Sequence, residues 1–157
     1  MLTIQLICVG SLKENYLKQA IAEYSKRLGR FCKLNIVELP EWKAPKTLRE
    51  SDILTMQQKE SEAILQKSSG YLLLLDVVGQ ALTSEQLSEK LSEISQTNST
   101  ITMVIGGSHG VSEALKQQAN FRLSFSKLTF PHQLMRVMAL EQLYRAFTIL
   151  GNIPYHK

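Results

Sequence analysis

Apolar and polar positions along the chain follow two different periods, and the two periods alternate from one end to the other. Short runs of β-branched and other apolar residues predict strands, whereas apolar residues that recur every three or four positions predict helices. The predicted strands are 2–9, 34–39, 71–78, 101–105 and 121–125. The predicted helices are 15–28, 53–68, 83–94, 112–119 and 132–150. This order predicts an α/β fold with a mainly parallel sheet flanked by helices, and one domain over residues 1–157.

Three of these segments carry more specific signals. The run 71–78, YLLLLDVV, is apolar at nearly every position, which is typical of a strand buried on both faces. Thr83 and Gln86 have the spacing of a capping box at a helix start. Pro40 ends the second strand, and the polar segment 41–46 after it predicts a mobile surface loop.

The last helix has apolar residues around most of its circumference. Leu134, Val137, Leu140, Leu143 and Phe147 point in several directions on a helical projection. A helix that is apolar nearly all round is either central in its domain or buried against a second surface. A twofold homodimer is the simplest arrangement that would bury the remaining face.

Composition narrows the class of protein. No run of about 18 to 20 apolar residues is long enough for a membrane helix, and no signal peptide precedes the first strand, so we expect a soluble, cytoplasmic protein. Cys8 and Cys32 have no CxxC spacing and are interpreted as reduced packing residues. The three histidines lack the paired spacing of a zinc site, so we expect no metal.

The net charge of +4 is unevenly distributed. Residues 1–50 contain nine Lys and Arg against five Asp and Glu, and residues 119–157 contain five against one. Residues 51–118 are acidic, with four against eight. Two basic ends could meet a polyanion, and an ordinary solvated surface would explain the same counts.

Candidate chemistry lies where strands end. In open α/β sheets, ligands bind beyond the carboxyl ends of the strands. Three segments fit that position, namely Leu75-Asp76 with a turn at Gly79, the loop 106–110 (GGSHG), and the segment 125–130 before Pro131. The glycine loop does not match GxGxxG, and no Walker motif is present. Either the turn itself or a bound cofactor would explain the glycines.

Two further features have both a structural and a functional interpretation. Glu141 and Arg145 are spaced i,i+4 on the last helix, as in an exposed ion pair. Tyr155 and His156 belong to a C-terminal tail that is either frayed or in contact with nucleic acid.

The whole chain resembles a known family. The motif IGGSHG after a strand, the N-terminal segment LICVGSLKENYLKQAIAEYSKRL and the C-terminal segment LSFSKLTFPHQLMRVMALEQLYRAFTILGNIPYHK together resemble the ribosomal RNA large subunit methyltransferase H family, a group of compact SPOUT enzymes. The resemblance implies a C-terminal trefoil knot, which general folding rules would not suggest. It also implies a homodimer that transfers a methyl group from S-adenosylmethionine to N3 of a pseudouridine in 23S ribosomal RNA of the ribosome.

The resemblance also implies the site residues. Those carried over as the S-adenosylmethionine site are Leu75, Gly106, Phe125, Ser126, Lys127, Leu128, Thr129 and Phe130. Those carried over as the catalytic set are Glu141, Arg145, Tyr155 and His156. The last two are expected to reach the partner subunit's cofactor pocket. Arg145 or His156 would orient or neutralise the base, and Glu141 would fix that cation.

Two other functions remain open from the sequence. The cofactor loops do not encode which base is methylated, so a SPOUT methyltransferase acting on another RNA, such as tRNA, is one alternative. A ribosome-binding factor that kept the fold without catalysis is the other.

Overall fold

The computed structural model describes residues 1–157, and its elements alternate between strand and helix. The strands are β1 (Thr3–Val9), β2 (Lys33–Leu39), β3 (Tyr71–Ala81), β4 (Thr100–Ile105) and β5 (Phe121–Ser124). The helices are α1 (Asn15–Leu28), α2 (Glu50–Lys67), α3 (Ser84–Thr97), α4 (Glu113–Gln118) and α5 (His132–Leu150). The predicted order of elements is confirmed. The single-domain organisation and the trefoil knot stay predictions.

The five strands form one sheet in the order β2-β1-β4-β3-β5, and every neighbouring pair is parallel. One apolar cluster joins this sheet to α1, α3 and α5, and a second joins its other face to α2 and α4. The central strands β1 and β4 are therefore covered on both sides, as parallel strands usually are. The predicted α/β fold with a parallel sheet between helices is confirmed.

Strand β3 differs from its prediction. Its first half is buried, but Val77 is 48% exposed and Val78 is 73% exposed, so the prediction that the whole run 71–78 is buried on both faces was wrong. Pairing with β4 ends at Leu74, and beyond that residue β3 pairs only with the edge strand β5. The predicted turn at Gly79 was also wrong, because Gly79 lies inside β3 within an irregular stretch of the ladder.

The two cysteines behave as predicted. Cys8 and Cys32 are buried and unpaired, and both belong to the larger apolar cluster. Burial raises the pKa of the Cys8 thiol to about 12 and that of the Cys32 thiol to about 11. Both thiols therefore stay protonated near neutral pH and act as packing groups.

Helix α5 packs on α1 and α3 through Ala139, Leu143 and their buried neighbours. Leu134 is 38% exposed and Leu150 is 41% exposed, so the apolar surface of α5 is not fully covered within one chain. This agrees with the reasoning behind the predicted homodimer, which stays a prediction. No helix of the structure is long and apolar enough to cross a lipid bilayer.

A buried arginine fixes the start of α5 to the sheet. Arg136 is only 1% exposed, and its Nη1 donates to Glu38 Oε2 at 2.7 Å. Its Nη2 donates to the carbonyl oxygens of Val9 at 3.1 Å and Gly10 at 2.7 Å. One guanidinium thus joins α5 to the carboxyl ends of β1 and β2.

We predict that Glu38→Ala lowers the free energy of unfolding by roughly 2 to 3 kcal/mol. The substitution leaves Arg136 buried without its counter-charge, a loss of about 3 to 5 kcal/mol when both partners are fully buried. The Glu38 side chain is 44% exposed, which reduces the expected effect. Urea denaturation measures the change, and Glu38→Gln should recover part of it because an amide oxygen still accepts the hydrogen bond.

The matched control is Glu23→Ala, which breaks the exposed Arg27–Glu23 pair at 2.9 Å. Exposed pairs contribute about 0 to 1 kcal/mol, so this variant should unfold almost as wild type does. Equal losses of unfolding free energy in Glu38→Ala and Glu23→Ala would contradict a larger contribution of the Arg136–Glu38 pair than of an exposed ion pair.

Candidate active site

A cavity of about 220 Å³ lies between the middle of β3, the carboxyl ends of β4 and β5, and the start of α5. Leu75 and Asp76, predicted at a strand end, lie inside β3 just past the last residue that pairs with β4. The structure brings the three strand-end segments together there, as the position of ligand sites in parallel sheets predicts. Seven of the eight predicted cofactor residues line it, namely Leu75, Gly106, Phe125, Ser126, Leu128, Thr129 and Phe130. Lys127, the eighth, does not line the cavity.

The glycines of the loop 106–110 allow close packing around this cavity. A Cβ atom on Gly106 would lie 2.7 Å from Val111 Cγ1, and one on Gly107 would lie 2.6 Å from Glu60 Oε1. Gly110 has a φ of +79°, in the region that favours glycine. The backbone of this loop can therefore approach a ligand without side chains in between.

An unpaired carboxylate oxygen belongs to the same cavity. Asp76 Oδ1 accepts a hydrogen bond from the Val78 N–H at 3.2 Å, whereas Asp76 Oδ2 is buried without a hydrogen-bond partner. The nearest cation is Arg122, whose Nη1 lies 3.6 Å from Oδ2. Sequence analysis placed Asp76 at a strand end but did not predict it as a binding residue. A buried acceptor of this kind is unusual in a folded chain and is suited to a ligand that donates hydrogen bonds.

The segment 125–130 is held in shape by two serines. Ser124 Oγ donates to the carbonyl oxygen of Val77 at 2.9 Å, and the Leu128 N–H donates to Ser126 Oγ at 3.0 Å. Leu128 itself is 70% exposed. Ser126 therefore shapes this wall of the cavity as well as lining it.

The four predicted catalytic residues form one hydrogen-bonded cluster. Arg145 Nε and Nη2 donate to Glu141 Oε1 at 2.8 and 2.7 Å, and the Tyr155 hydroxyl donates to Glu141 Oε2 at 2.8 Å. Arg145 Nη1 lies 3.2 Å from His156 Nδ1. The Arg145 guanidinium also stacks over the Tyr155 ring at 4.7 Å from its centroid. We call these four residues the Arg145 cluster.

The contacts of His156 indicate which ring nitrogen accepts and which donates. Arginine only donates, so Nδ1 accepts from Arg145, and the 2.7 Å contact from Nε2 to Glu85 Oε1 makes Nε2 the protonated nitrogen. Both ring nitrogens of His156 are thus engaged in hydrogen bonds. A backbone hydrogen bond and the hydrogen bond from His156 lower the pKa of Glu85 below its ordinary value.

Two tyrosines, Tyr155 of the cluster and its neighbour Tyr24, have raised pKa values. Burial, followed by a hydrogen bond to Glu141, raises the pKa of Tyr24 to about 12. The same two causes raise the pKa of Tyr155. Tyr144 packs edge-on against Tyr155, with ring centroids 4.8 Å apart. The Tyr155 hydroxyl therefore remains protonated and donates its hydrogen bond to the Glu141 carboxylate.

Two interpretations of this region from sequence were wrong. The Arg145–Glu141 pair is not an exposed ion pair, because the side chains are 26% and 18% exposed. The C-terminal tail is not frayed, because Tyr155 and His156 both bond to α5. Sequence reasoning also missed Glu85, which lies 71 residues from His156.

The cavity and the Arg145 cluster lie on different sides of α5 within one chain. Met135 of α5 lines the cavity. Glu141 lies six residues later, which places it roughly 9 Å further along the helix and roughly 120° around it. No group of three or more His, Cys, Asp or Glu side chains is arranged to hold a metal ion.

Comparison with known proteins identifies the family of the chain. A family model described as "Predicted SPOUT methyltransferase" matches residues 2–156. The chain is 52% identical over 159 residues to the ribosomal RNA large subunit methyltransferase H of Clostridium novyi strain NT, covering 99% of this chain and 100% of that protein. It is 50% identical, with the same coverage, to ribosomal RNA large subunit methyltransferase H 1 of Clostridium perfringens strain SM101.

Solved structures with a similar fold include one methylase. It is a probable methylase family protein from Haemophilus influenzae Rd KW20, with a TM-score of 0.54 and 13% sequence identity. The match covers 98% of this chain and 70% of that chain. At 13% identity, this similarity shows a shared fold and nothing about function.

Proposed function

The chain belongs to the SPOUT methyltransferase family, and we propose that it transfers a methyl group from S-adenosylmethionine to ribosomal RNA of the large ribosomal subunit. The observation that carries this proposal is the full-length identity of about 50% to proteins named ribosomal RNA large subunit methyltransferase H. The cavity at the strand ends supports it, because its position and apolar walls suit a small cofactor.

We further propose that the acceptor is N3 of a pseudouridine in 23S ribosomal RNA, that the ribosome is the substrate particle, and that the enzyme acts in the cytoplasm as a homodimer. The uncovered apolar residues Leu134 and Leu150 on α5 support the homodimer. The basic surplus of the two chain ends supports an RNA partner.

The residues of the cavity fit S-adenosylmethionine. Leu75 and Val111 provide apolar walls for an adenine ring, and the free Asp76 Oδ2 can accept from a hydroxyl or amino group. The backbone at Gly106 is open to a ligand. When bound, S-adenosylmethionine supplies a methyl group on a sulfonium, which is already electrophilic and needs chiefly alignment with the acceptor.

The acceptor nitrogen needs more assistance than the methyl group does. N3 of a uracil-type ring carries a proton at neutral pH and lies between two carbonyl groups. That proton passes to solvent water as the methyl group moves from sulfur to N3, and negative charge develops on the carbonyl oxygens when the N–H bond breaks. A guanidinium has five N–H donors, and the contacts of Arg145 to Glu141 and His156 use three of them. Two donors remain for those oxygens. We propose that Arg145 stabilises the developing charge while Glu141 and Tyr155 hold it in place.

His156 has a more limited role in this proposal. Both of its ring nitrogens are engaged, so it could take the N3 proton only if its contact to Arg145 opened. We therefore propose that His156 orients Arg145.

The position of the Arg145 cluster supports a site built from two subunits. Since the cluster lies on the side of α5 turned away from its own cavity, we propose that it serves the cavity of the partner subunit. In a twofold dimer the same contact then occurs twice.

The decisive test of function compares 23S ribosomal RNA from cells with and without the gene by mass spectrometry of nucleosides. We expect the loss of one methylated pseudouridine, restored by the purified protein with S-adenosylmethionine. Loss of a methylated nucleoside from transfer RNA instead would favour another RNA substrate. Unchanged RNA, with no heat of S-adenosylmethionine binding by calorimetry, would favour a non-catalytic ribosome-binding factor.

We predict that Gly106→Ala weakens S-adenosylmethionine binding by about tenfold. Its Cβ would lie 2.7 Å from Val111 Cγ1, and relieving that overlap moves a wall of the cavity. Isothermal titration calorimetry measures the affinity. The control is Gly29→Ala at the end of α1, where the nearest atom to a Cβ is 3.4 Å away. Equal affinities in both variants would place the cofactor elsewhere.

A further inference from the structure

A second cavity, of about 900 Å³, lies beside the first at the carboxyl ends of β1 and β2. Its walls are the segment 10–13, the segment 38–44, and side chains from the loop 106–110 and the start of α5. His132 lines both cavities, so the two adjoin at the start of α5. We call the second cavity the Trp42 groove.

The wall of the groove contains the only tryptophan of the chain. The Trp42 side chain is 47% exposed, although the backbone that carries it is anchored. The Trp42 N–H donates at 3.0 Å to Glu60 Oε2, and Glu60 is 7% exposed. The neighbouring Glu41 accepts from Ser108 Oγ of the glycine loop at 3.3 Å. These contacts present an aromatic face beside the first cavity.

Two lysines and one glutamate, Glu41, line the groove without a salt-bridge partner, so its unpaired charges are positive by one. Lys13 and Lys43 line it, and neither forms a salt bridge. The carboxylate of Glu38 is bound by Arg136 at 2.7 Å. Proteins bind single-stranded nucleic acid with exposed aromatic rings, on which bases stack, and with nearby cations, which contact phosphates.

We propose that the Trp42 groove binds the single-stranded RNA that flanks the methylated nucleotide, with one base stacked on Trp42 and phosphates on Lys13 and Lys43. This inference rests on the proposed function. A base methylated at N3 must leave its pairing partner, since N3 lies on the pairing edge, and its neighbours are then free to stack on protein. The groove lies where such a neighbour would be when the target base is in the cofactor cavity.

The first test measures kcat and KM on ribosomes purified from cells that lack the gene, at saturating S-adenosylmethionine. Trp42→Ala should raise KM for ribosomes about tenfold, in the range of one lost stacking contact, with kcat within about twofold of wild type. Trp42→Phe should recover most of the loss because a ring remains. Cofactor affinity by calorimetry should be unchanged in both variants, which also shows that they are folded.

The second test distinguishes RNA from a ribosomal protein as the occupant. Binding to ribosomes is measured at several salt concentrations for Lys13→Ala, Lys43→Ala and Lys67→Ala. Each of the first two should reduce the slope of log affinity against log salt by about 1, the effect of one lost phosphate contact. Lys67 is exposed at the end of α2, outside the groove, and its variant should keep the wild-type slope.

The outcomes separate this inference from the proposed function. A wild-type protein that neither binds S-adenosylmethionine nor methylates ribosomes overturns both. An active wild-type protein whose Trp42→Ala variant keeps its KM overturns the groove alone. A raised KM for Trp42→Ala with unchanged salt slopes for both lysine variants also overturns it, because a ribosomal protein would then be the occupant.

Discussion

Replacing Arg145 with methionine should lower kcat for methyl transfer by about 10²-fold to 10³-fold and leave the affinity for S-adenosylmethionine unchanged. The expected loss is that of one hydrogen-bond donor aimed at charge that develops in the transition state. Methionine keeps much of the apolar volume of the Arg145 side chain but removes its contacts to Glu141 and His156. Steady-state rates on unmethylated ribosomes, together with calorimetry, separate the two quantities.

Two further variants define the role of the guanidinium. Arg145→Lys keeps the charge but cannot make both hydrogen bonds to Glu141 in the same geometry, so it should recover only part of the rate. Tyr155→Phe removes one donor to Glu141 but leaves Arg145 in place, so its loss should be smaller. A kcat for Arg145→Met within about threefold of wild type would contradict a charge-stabilising role.

Most of the fold could be predicted from the sequence because the apolar positions of most helices and strands are the positions that the fold buries. The predicted bounds of α1 and α5 match the structure, and the Thr83–Gln86 capping box is present. The error in β3 arose because an apolar run does not reveal where a neighbouring strand ends. Val77 and Val78 lie beyond the last residue that β4 pairs with, so they are exposed despite their hydrophobicity.

The site was predictable to a smaller extent. Strand ends indicated the cavity, since the topology of a parallel sheet brings its carboxyl ends together. No comparable sequence signal indicated a functional role for Glu85, Tyr24 or Trp42. Glu85 meets His156 only because the tail folds back over the start of α3, and that contact joins residues 71 positions apart. A contact between residues so far apart in sequence produces no periodic pattern from which it could be predicted.

Mixed dimers should reveal whether each site draws on two subunits. We predict that a heterodimer of Arg145→Met with Gly106→Val has about half of the wild-type activity, although each variant alone is nearly inactive. A Cβ at position 106 would already lie 2.7 Å from Val111 Cγ1, and the two methyl groups of valine would add further overlap. We therefore expect Gly106→Val to close the cavity. If the cluster serves the partner's cavity, one of the two symmetric sites receives both substitutions and the other receives neither. Differently tagged subunits, co-expressed and purified in sequence, give the heterodimer for the assay.

The reciprocal heterodimer makes the result unambiguous. Pairing wild type with a chain that carries both substitutions leaves each site with one defect if the sites are shared, so this dimer should be nearly inactive. A site contained within one chain gives the opposite pattern, with about half of the activity in the reciprocal heterodimer and almost none in the first. A monomer on size exclusion would contradict the shared site directly. The two heterodimers contain the same substitutions in the same number and differ only in how the substitutions are distributed between the chains. With equal thermal stability of the two heterodimers as the control, a difference in activity reports which chain supplies Arg145 to which cavity.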